Sequence, residues 1–169
     1  MRGHSITIVG IDPGLIATGY GVVLADRGSY RSTEHGVFRP DPRAPLGERL
    51  LELQRSLREL LARCHPDAVA IEEPFVGANT RSALMLGRAQ AAALIAAAEA
   101  GLPVFTYAPA QVKATVAGYG RGDKRQVAAM VRMQLGLADA PEPADAADAL
   151  AVAICHAAHA ERRMVEIAR

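Results

Sequence analysis

The sequence predicts an α/β fold, with a mixed five-stranded sheet and helices on both faces. Three observations predict it. Residues 5–38 hold three β-branched or alternating segments joined by short links, which favours antiparallel hairpins. From residue 46 onward, segments with helical apolar spacing alternate with short buried strands. Alanine fills much of the apolar half of the composition, so helices should pack closely. At 169 residues, one domain over 1–169 is expected.

The elements follow in order. "SITIVGID" (5–12) is β-branched and ends in Asp-Pro-Gly, a strand feeding a turn. "GYGVVLAD" (19–26) and "SYRSTEHGVF" (29–38) read as the second and third strands, and "RPDPRAP" (39–45) as a proline-rich loop. Leucines at 46, 50, 53, 57, 60 and 61 give helical spacing to 46–64. "DAVAIE" (67–72) is a short buried strand, and 73–79 a loop with Asn79 or Thr80 as a helix N-cap. A helix over about 80–100 stops at Gly101, and "PVFTY" (103–107) is the fifth strand. Helices around 109–117 and 124–135 flank the loop "GYGRGD" (118–123). A last helix starts near Pro143, with the proline in its first turn.

Composition narrows the function. No apolar run is long enough to span a bilayer, and the start lacks a signal-peptide pattern. Two cysteines make no disulfide framework, so a reduced, cytoplasmic protein is expected. The net charge of +1 hides a pattern: Lys113, Arg121, Lys124, Arg125 and Arg132 stand beside a single acid, Asp123, and an acidic segment follows from Glu142. That juxtaposition suggests a phosphate-rich partner and a metal. A solvated helical face would also fit the charge pattern taken alone.

Four carboxylates stand at element ends: Asp12 and Glu72 at strand ends, Asp145 and Asp148 early in the last helix. Residues i and i+3 share a helix face, so the last two point the same way. In sheets of this kind, sites gather at the carboxyl ends of strands. Clustered carboxylates repel unless a cation sits among them. Oxygen-only donors select hard cations, magnesium or manganese, and such a set can hold two ions roughly 4 Å apart for phosphodiester attack. Each acid has a plainer role too: Asp12 could shape a turn, and Asp145 could serve the helix dipole. Glu72 has a rival in Glu73, and strand alternation allows only one of them into the site. His156 and His159 beside Cys155 lack further ligands and are read as packing residues.

"GIDPG" with "TGYGVV", then "AIEEPF", "YAPAQVKATVAGYG" and "ADAADALAVAI" resemble, in order and at family spacing, the RuvC-type Holliday-junction resolvases. The resemblance covers almost the whole chain. It implies a ribonuclease-H-like fold, a homodimer, and an endonuclease that resolves four-way DNA junctions by paired nicks leaving 5′-phosphate and 3′-hydroxyl ends. It places the acidic quartet on Asp12, Glu72, Asp145 and Asp148, choosing Glu72 over Glu73, with Mg2+ or Mn2+, two ions per site. It places a phenylalanine at the junction centre on Phe75, and two DNA-contacting lysines on Lys113 and Lys124, the only lysines in the chain. It also implies a junction-binding protein and a branch-migration motor as partners. Arg121 and Tyr119 in the 118–123 loop are further candidates for DNA contact. The 80–100 helix, with Leu84, Leu94, Ile95 and many alanines, is the expected dimer face. The rival readings are a ribonuclease-H-like nuclease acting on structured RNA, a non-catalytic junction-binding module, and an actin-like ATPase, for which the chain is too short.

Overall fold

Alternation along the first two strands decides where every helix sits. In the computed structural model, which describes residues 5–73, 80–118 and 123–167, the chain forms ten elements. They are β1 (Ile6–Asp12), β2 (Thr18–Asp26), β3 (Ser29–Phe38), α1 (Leu46–Cys64), β4 (Ala68–Glu72), α2 (Thr80–Glu99), β5 (Val104–Tyr107), α3 (Pro109–Ala117), α4 (Lys124–Gln134) and α5 (Ala144–Ile167). The sheet order is β3-β2-β1-β4-β5. β1, β2 and β3 pair antiparallel through their hairpins, and β4 and β5 add parallel to β1. This is the mixed five-stranded sheet expected.

Side chains of period two divide between two cores. Ile8 on β1, Val23 and Ala25 on β2 and Ala70 on β4 pack with α3, α4 and α5. Val9 and Ile11, Val22, Val69 and Ile71 pack on the opposite face with α1 and α2. On α1 the buried set is Leu53, Leu57, Leu60 and Leu61. On α2 it is alanine: Ala89, Ala92, Ala93, Ala96 and Ala97.

Most element ends coincide with the sequence expectation, and the others differ by a single residue, the usual fraying distance. One difference has a structural reason. Pro143 stands just before α5 rather than within its first turn, and its carbonyl accepts from the N–H groups of Ala146 (2.9 Å) and Ala147 (3.4 Å). Its missing N–H costs nothing there, because the first helical N–H groups have no partner within the helix. The cap expected at Asn79 or Thr80 lies outside the described residues and side chains.

Candidate active site

The parallel register Ile11↔Ile71 ends β1 and β4 side by side, so Asp12 and Glu72 are neighbours. Both continue the face that carries Ile8 and Ala70, the face that α5 covers. Glu73 leaves the strand exposed, with its N–H donating to the Tyr107 carbonyl at 2.9 Å. Strand geometry in the folded chain thus separates the two glutamates, which alternation alone left open.

α5 reaches the other two acids because glycines let it in. A methyl group on Gly19 would lie 1.9 Å from the Asp145 carbonyl oxygen, and one on Gly10 would lie 2.1 Å from that of Ala149. At Gly21 it would meet the Leu150 side chain at 2.6 Å. Gly19 is also the β2 residue opposite Asp12. The first turn of α5 therefore rests on the backbone beside Asp12. Asp145 and Asp148 project from a helix whose Ala146, Ala147, Ala149 and Leu150 are buried.

All four carboxylates are half-buried. Burial, then the charge of Glu72, push the Asp12 carboxyl up to about 8, and Asp148 and Asp145 add to the rise. Asp12 and Glu72 are hydrogen-bonded, and burial raises Glu72 as well. The pair therefore shares a proton when no cation is near. This sets an expected pH response in protein kept free of divalent cations. Folded Asp12 holds its proton to about pH 8, whereas its ordinary value is 3.8. Between those values the folded state binds more protons than the unfolded state, so stability falls as pH rises through that window. The melting temperature in chelator should drop from about pH 5 to about pH 8, and Asp12→Asn should flatten the drop. A flat profile in the parent protein would contradict this electrostatic picture.

Two lysines meet the quartet at Glu72 and Asp148. The Lys124 ammonium pairs with Asp148 at 3.1 Å. Lys113 and Lys124, with Glu72, Asp148, Val112 and Val127, line a pocket of about 130 Å³. Both lysines pull the Glu72 carboxyl down against its burial. Lys124 is the first residue of α4 and is fixed by a capping box. Asp123 accepts from the Gln126 N–H at 2.8 Å, and the Gln126 side chain accepts from the Asp123 N–H at 3.2 Å. The Asp-x-x-Gln spacing at 123–126 carries this signal in the sequence. Reading Asp123 only as a counter-charge in a basic segment misses it.

Asp12 and Asp145 face a second cleft of about 670 Å³. Its walls are the 13–17 turn, Arg49 from α1, and Arg81, Ser82, Met85 and Leu86 from α2. The turn is held by Thr18, whose hydroxyl donates to the Gly14 carbonyl at 2.6 Å and accepts from the Gly14 N–H at 3.1 Å. Arg49 adds a bond from Nη2 to the Leu15 carbonyl at 2.5 Å. Arg49, Arg81, Ser82, Met85 and Leu86 do not stand out in the sequence pattern. The i, i+4 pairs 81/85 and 82/86 share one helix face, which was the signal available.

The donor set of the quartet is carboxylate oxygen alone, which suits a hard divalent cation. Among the described residues, no three His, Cys, Asp or Glu side chains are drawn together as a finished metal cage. Lys124 instead supplies positive charge at Asp148. The fit to a cation rests on the donor chemistry and on the raised Asp12 carboxyl, which a cation would return to its ionised form. Phe75, Arg121 and Tyr119 lie outside the described residues. His156 is buried and bonded to the Tyr107 hydroxyl at 2.7 Å. His159 donates from Nδ1 to the Cys155 carbonyl at 2.8 Å. Both histidines are engaged in packing, as the sequence reading has it.

The fold is shared with solved structures. The yeast mitochondrial Holliday junction resolvase superposes with a TM-score of 0.60 over 92% of this chain and 82% of its own, at 13% identity, a likeness of fold alone. Thermus thermophilus RuvC in complex with Holliday junction substrate superposes with a TM-score of 0.88 at 42% identity, over 93% of this chain and 96% of that one. This ribonuclease-H-like sheet, with acids gathered at its strand ends, belongs to a nuclease. Residues 8–156 match the family described as crossover junction endodeoxyribonuclease RuvC. The Chloroflexus aggregans enzyme of that name is 51% identical over 149 residues, covering 88% of this chain and 91% of its own. The chain belongs to the RuvC family of crossover junction endodeoxyribonucleases.

Proposed function

We propose that the protein resolves four-way DNA junctions as a homodimer, by paired nicks that require a divalent cation. The observation that carries this is the gathering of Asp12, Glu72, Asp145 and Asp148 at adjoining element ends with Lys113 and Lys124 beside them. Family membership and the junction-bound Thermus relative support the substrate, and a match along nearly the whole chain disfavours the structured-RNA reading.

The quartet would hold hard divalent cations, Mg2+ or Mn2+ and two per site. When bound, these would supply an activated water near neutral pH and offset charge on the scissile phosphate. The chain's own residues do the rest. Asp12 and Glu72 would hold such a cation once their shared proton is lost. Asp145 and Asp148, fixed on α5, set the spacing of the donors against the strand ends. Lys124 is poised to leave Asp148 for a DNA phosphate, and Lys113 lies beside it for the next one along. The products would carry 5′-phosphate and 3′-hydroxyl ends. We assign Phe75 to junction contact on family resemblance alone, and Arg121 on its basic charge in the 118–123 loop.

A junction has near two-fold symmetry, and a C2 dimer meets it with two matched sites. α2 offers the face. Its outer side exposes Leu84 (58%), Leu94 (39%) and Ile95 (53%) while its inner alanines are buried. The expected solution mass is that of a dimer, and Leu94→Glu with Ile95→Glu should halve it and abolish paired nicking. A monomeric parent at micromolar concentration would refute the interface. Among the described residues no helix is long and apolar enough to cross a membrane. A cytoplasmic location, a junction-binding protein and a branch-migration motor complete the proposal.

The test is cleavage of a synthetic mobile four-way junction, with and without magnesium, with product ends mapped. Symmetric nicks dependent on the cation are expected. Intact junctions alongside efficient cutting of structured RNA would overturn the reading.

A further inference from the structure

Two clefts open beside the carboxylates, and only the smaller holds the lysines of the proposed chemistry. The larger, about 670 Å³, shares no lining residue with the lysine pocket. Its size falls within the roughly 300–1,000 Å³ of pockets that enclose a ligand. Asp12 and Asp145 face it, while Glu72 and Asp148 face the lysines. The quartet is therefore a ridge with a recess on either side.

The larger recess carries positive charge that no carboxylate among the described residues pairs with. Arg81 is exposed on the first turn of α2, and among the described residues no carboxylate lies within ion-pairing distance of it. Among the described residues Arg49 likewise has no carboxylate partner. Its Nη2 donates to the Leu15 carbonyl, and its buried Nε finds no hydrogen-bond partner among those residues. Beside the arginines the lining turns apolar, with Leu15, Met85 and Leu86. Ile16, also in the lining, is 79% exposed among the described residues. Guanidinium beside an apolar surface is a match for a nucleotide, which joins an anion to a flat base.

We propose that this recess is a second strand-binding subsite. It holds the nucleotide next to the scissile phosphate, on the side away from the lysines. Its phosphate lies on Arg81 with Arg49 behind, and its base lies against Ile16 and Met85. Ile16 is thus a specificity-determining residue and Arg81 a positioning one, and the strand crosses the carboxylate ridge from the lysine pocket to the arginine recess. This inference rests on the reading of the protein as a junction nuclease.

The experiment uses the full chain and synthetic junctions. Binding of parent, Arg81→Ala and Arg81→Glu is measured in chelator across a salt series, with thermal melts as the control for folding. A phosphate contact at Arg81 lowers the slope of log affinity against log salt by about one, and Arg81→Glu weakens binding at least about tenfold at low salt. Ile16→Ala is then assayed with magnesium on junctions that differ only in the base flanking the cut. The expected result is a flattened preference among those bases at unchanged melting temperature. Parent-like salt slopes in both Arg81 variants and a parent-like base preference in Ile16→Ala would overturn the subsite, provided the parent binds and cuts. A parent that neither binds nor cuts junctions would overturn the functional reading, and the subsite with it.

Discussion

Asp145→Asn should bind a four-way junction at least as tightly as the parent and cut it at least about 10³-fold more slowly, because one anionic donor of the metal set is gone. The substitution keeps the size of the side chain and its place on α5. It removes one anionic oxygen donor from the quartet and one negative charge from the path of the DNA. Asp145 is among the groups that push Asp12 up, so its loss lets the Asp12 carboxyl ionise more readily. The variant should accordingly melt no lower than the parent in chelator at about pH 8, since one source of carboxylate repulsion is removed. Gained or unchanged stability combined with lost cutting separates a chemical role from a structural one. Magnesium-dependent nicking at the parent rate would exclude Asp145 from the catalytic set.

Gly19→Ala should lower the melting temperature and lose more activity than its folded fraction explains. The added methyl group would stand 1.9 Å from the Asp145 carbonyl oxygen, and a backbone atom cannot swing aside as a side-chain tip can. Overpacking of this kind costs about 1–3 kcal/mol or more. α5 must then move off β2, and it carries Asp145 and Asp148 away from Asp12 as it goes. Gly47→Ala is the matched control: it lies in α1 with nothing within 4 Å of the added methyl, and alanine suits a helix better. It should leave the melt and the cutting rate at or above parental values. Full activity in folded Gly19→Ala would show that close seating of α5 is not what sets the site.

Much of this was legible in the residues. Period-two runs and short turns mark the three antiparallel strands, because alternation there corresponds to two different helical layers. Helical leucine spacing marks α1 for the same reason. The four acids were visible because acids are conspicuous at the ends of apolar elements. What made Glu72 rather than Glu73 face the ridge was less legible, since it depends on the register of β4 against β1, a long-range fact. The glycines at 10, 19 and 21 read locally as strand weaknesses. Their purpose appears only when α5, far along the chain, lies on them. Arg49 and Arg81 were hidden in ordinary amphipathic helices, and only the folded chain sets α1 and α2 around the turn after Asp12.

One helix, α2, serves two places at once. Its first turns wall the arginine recess, and its outward leucine and isoleucine lie further along the same rod. From Arg81 to Ile95 the helical rise is about 21 Å. In the proposed dimer that rod works as a ruler between subunits: the angle at which two copies of α2 cross fixes how far apart, and at what relative tilt, the two cutting centres stand. Substitutions on the outer face that leave the dimer intact but alter the crossing would shift where the second nick falls relative to the first. Symmetry of the products thus becomes a geometric property of a helix surface that touches no DNA.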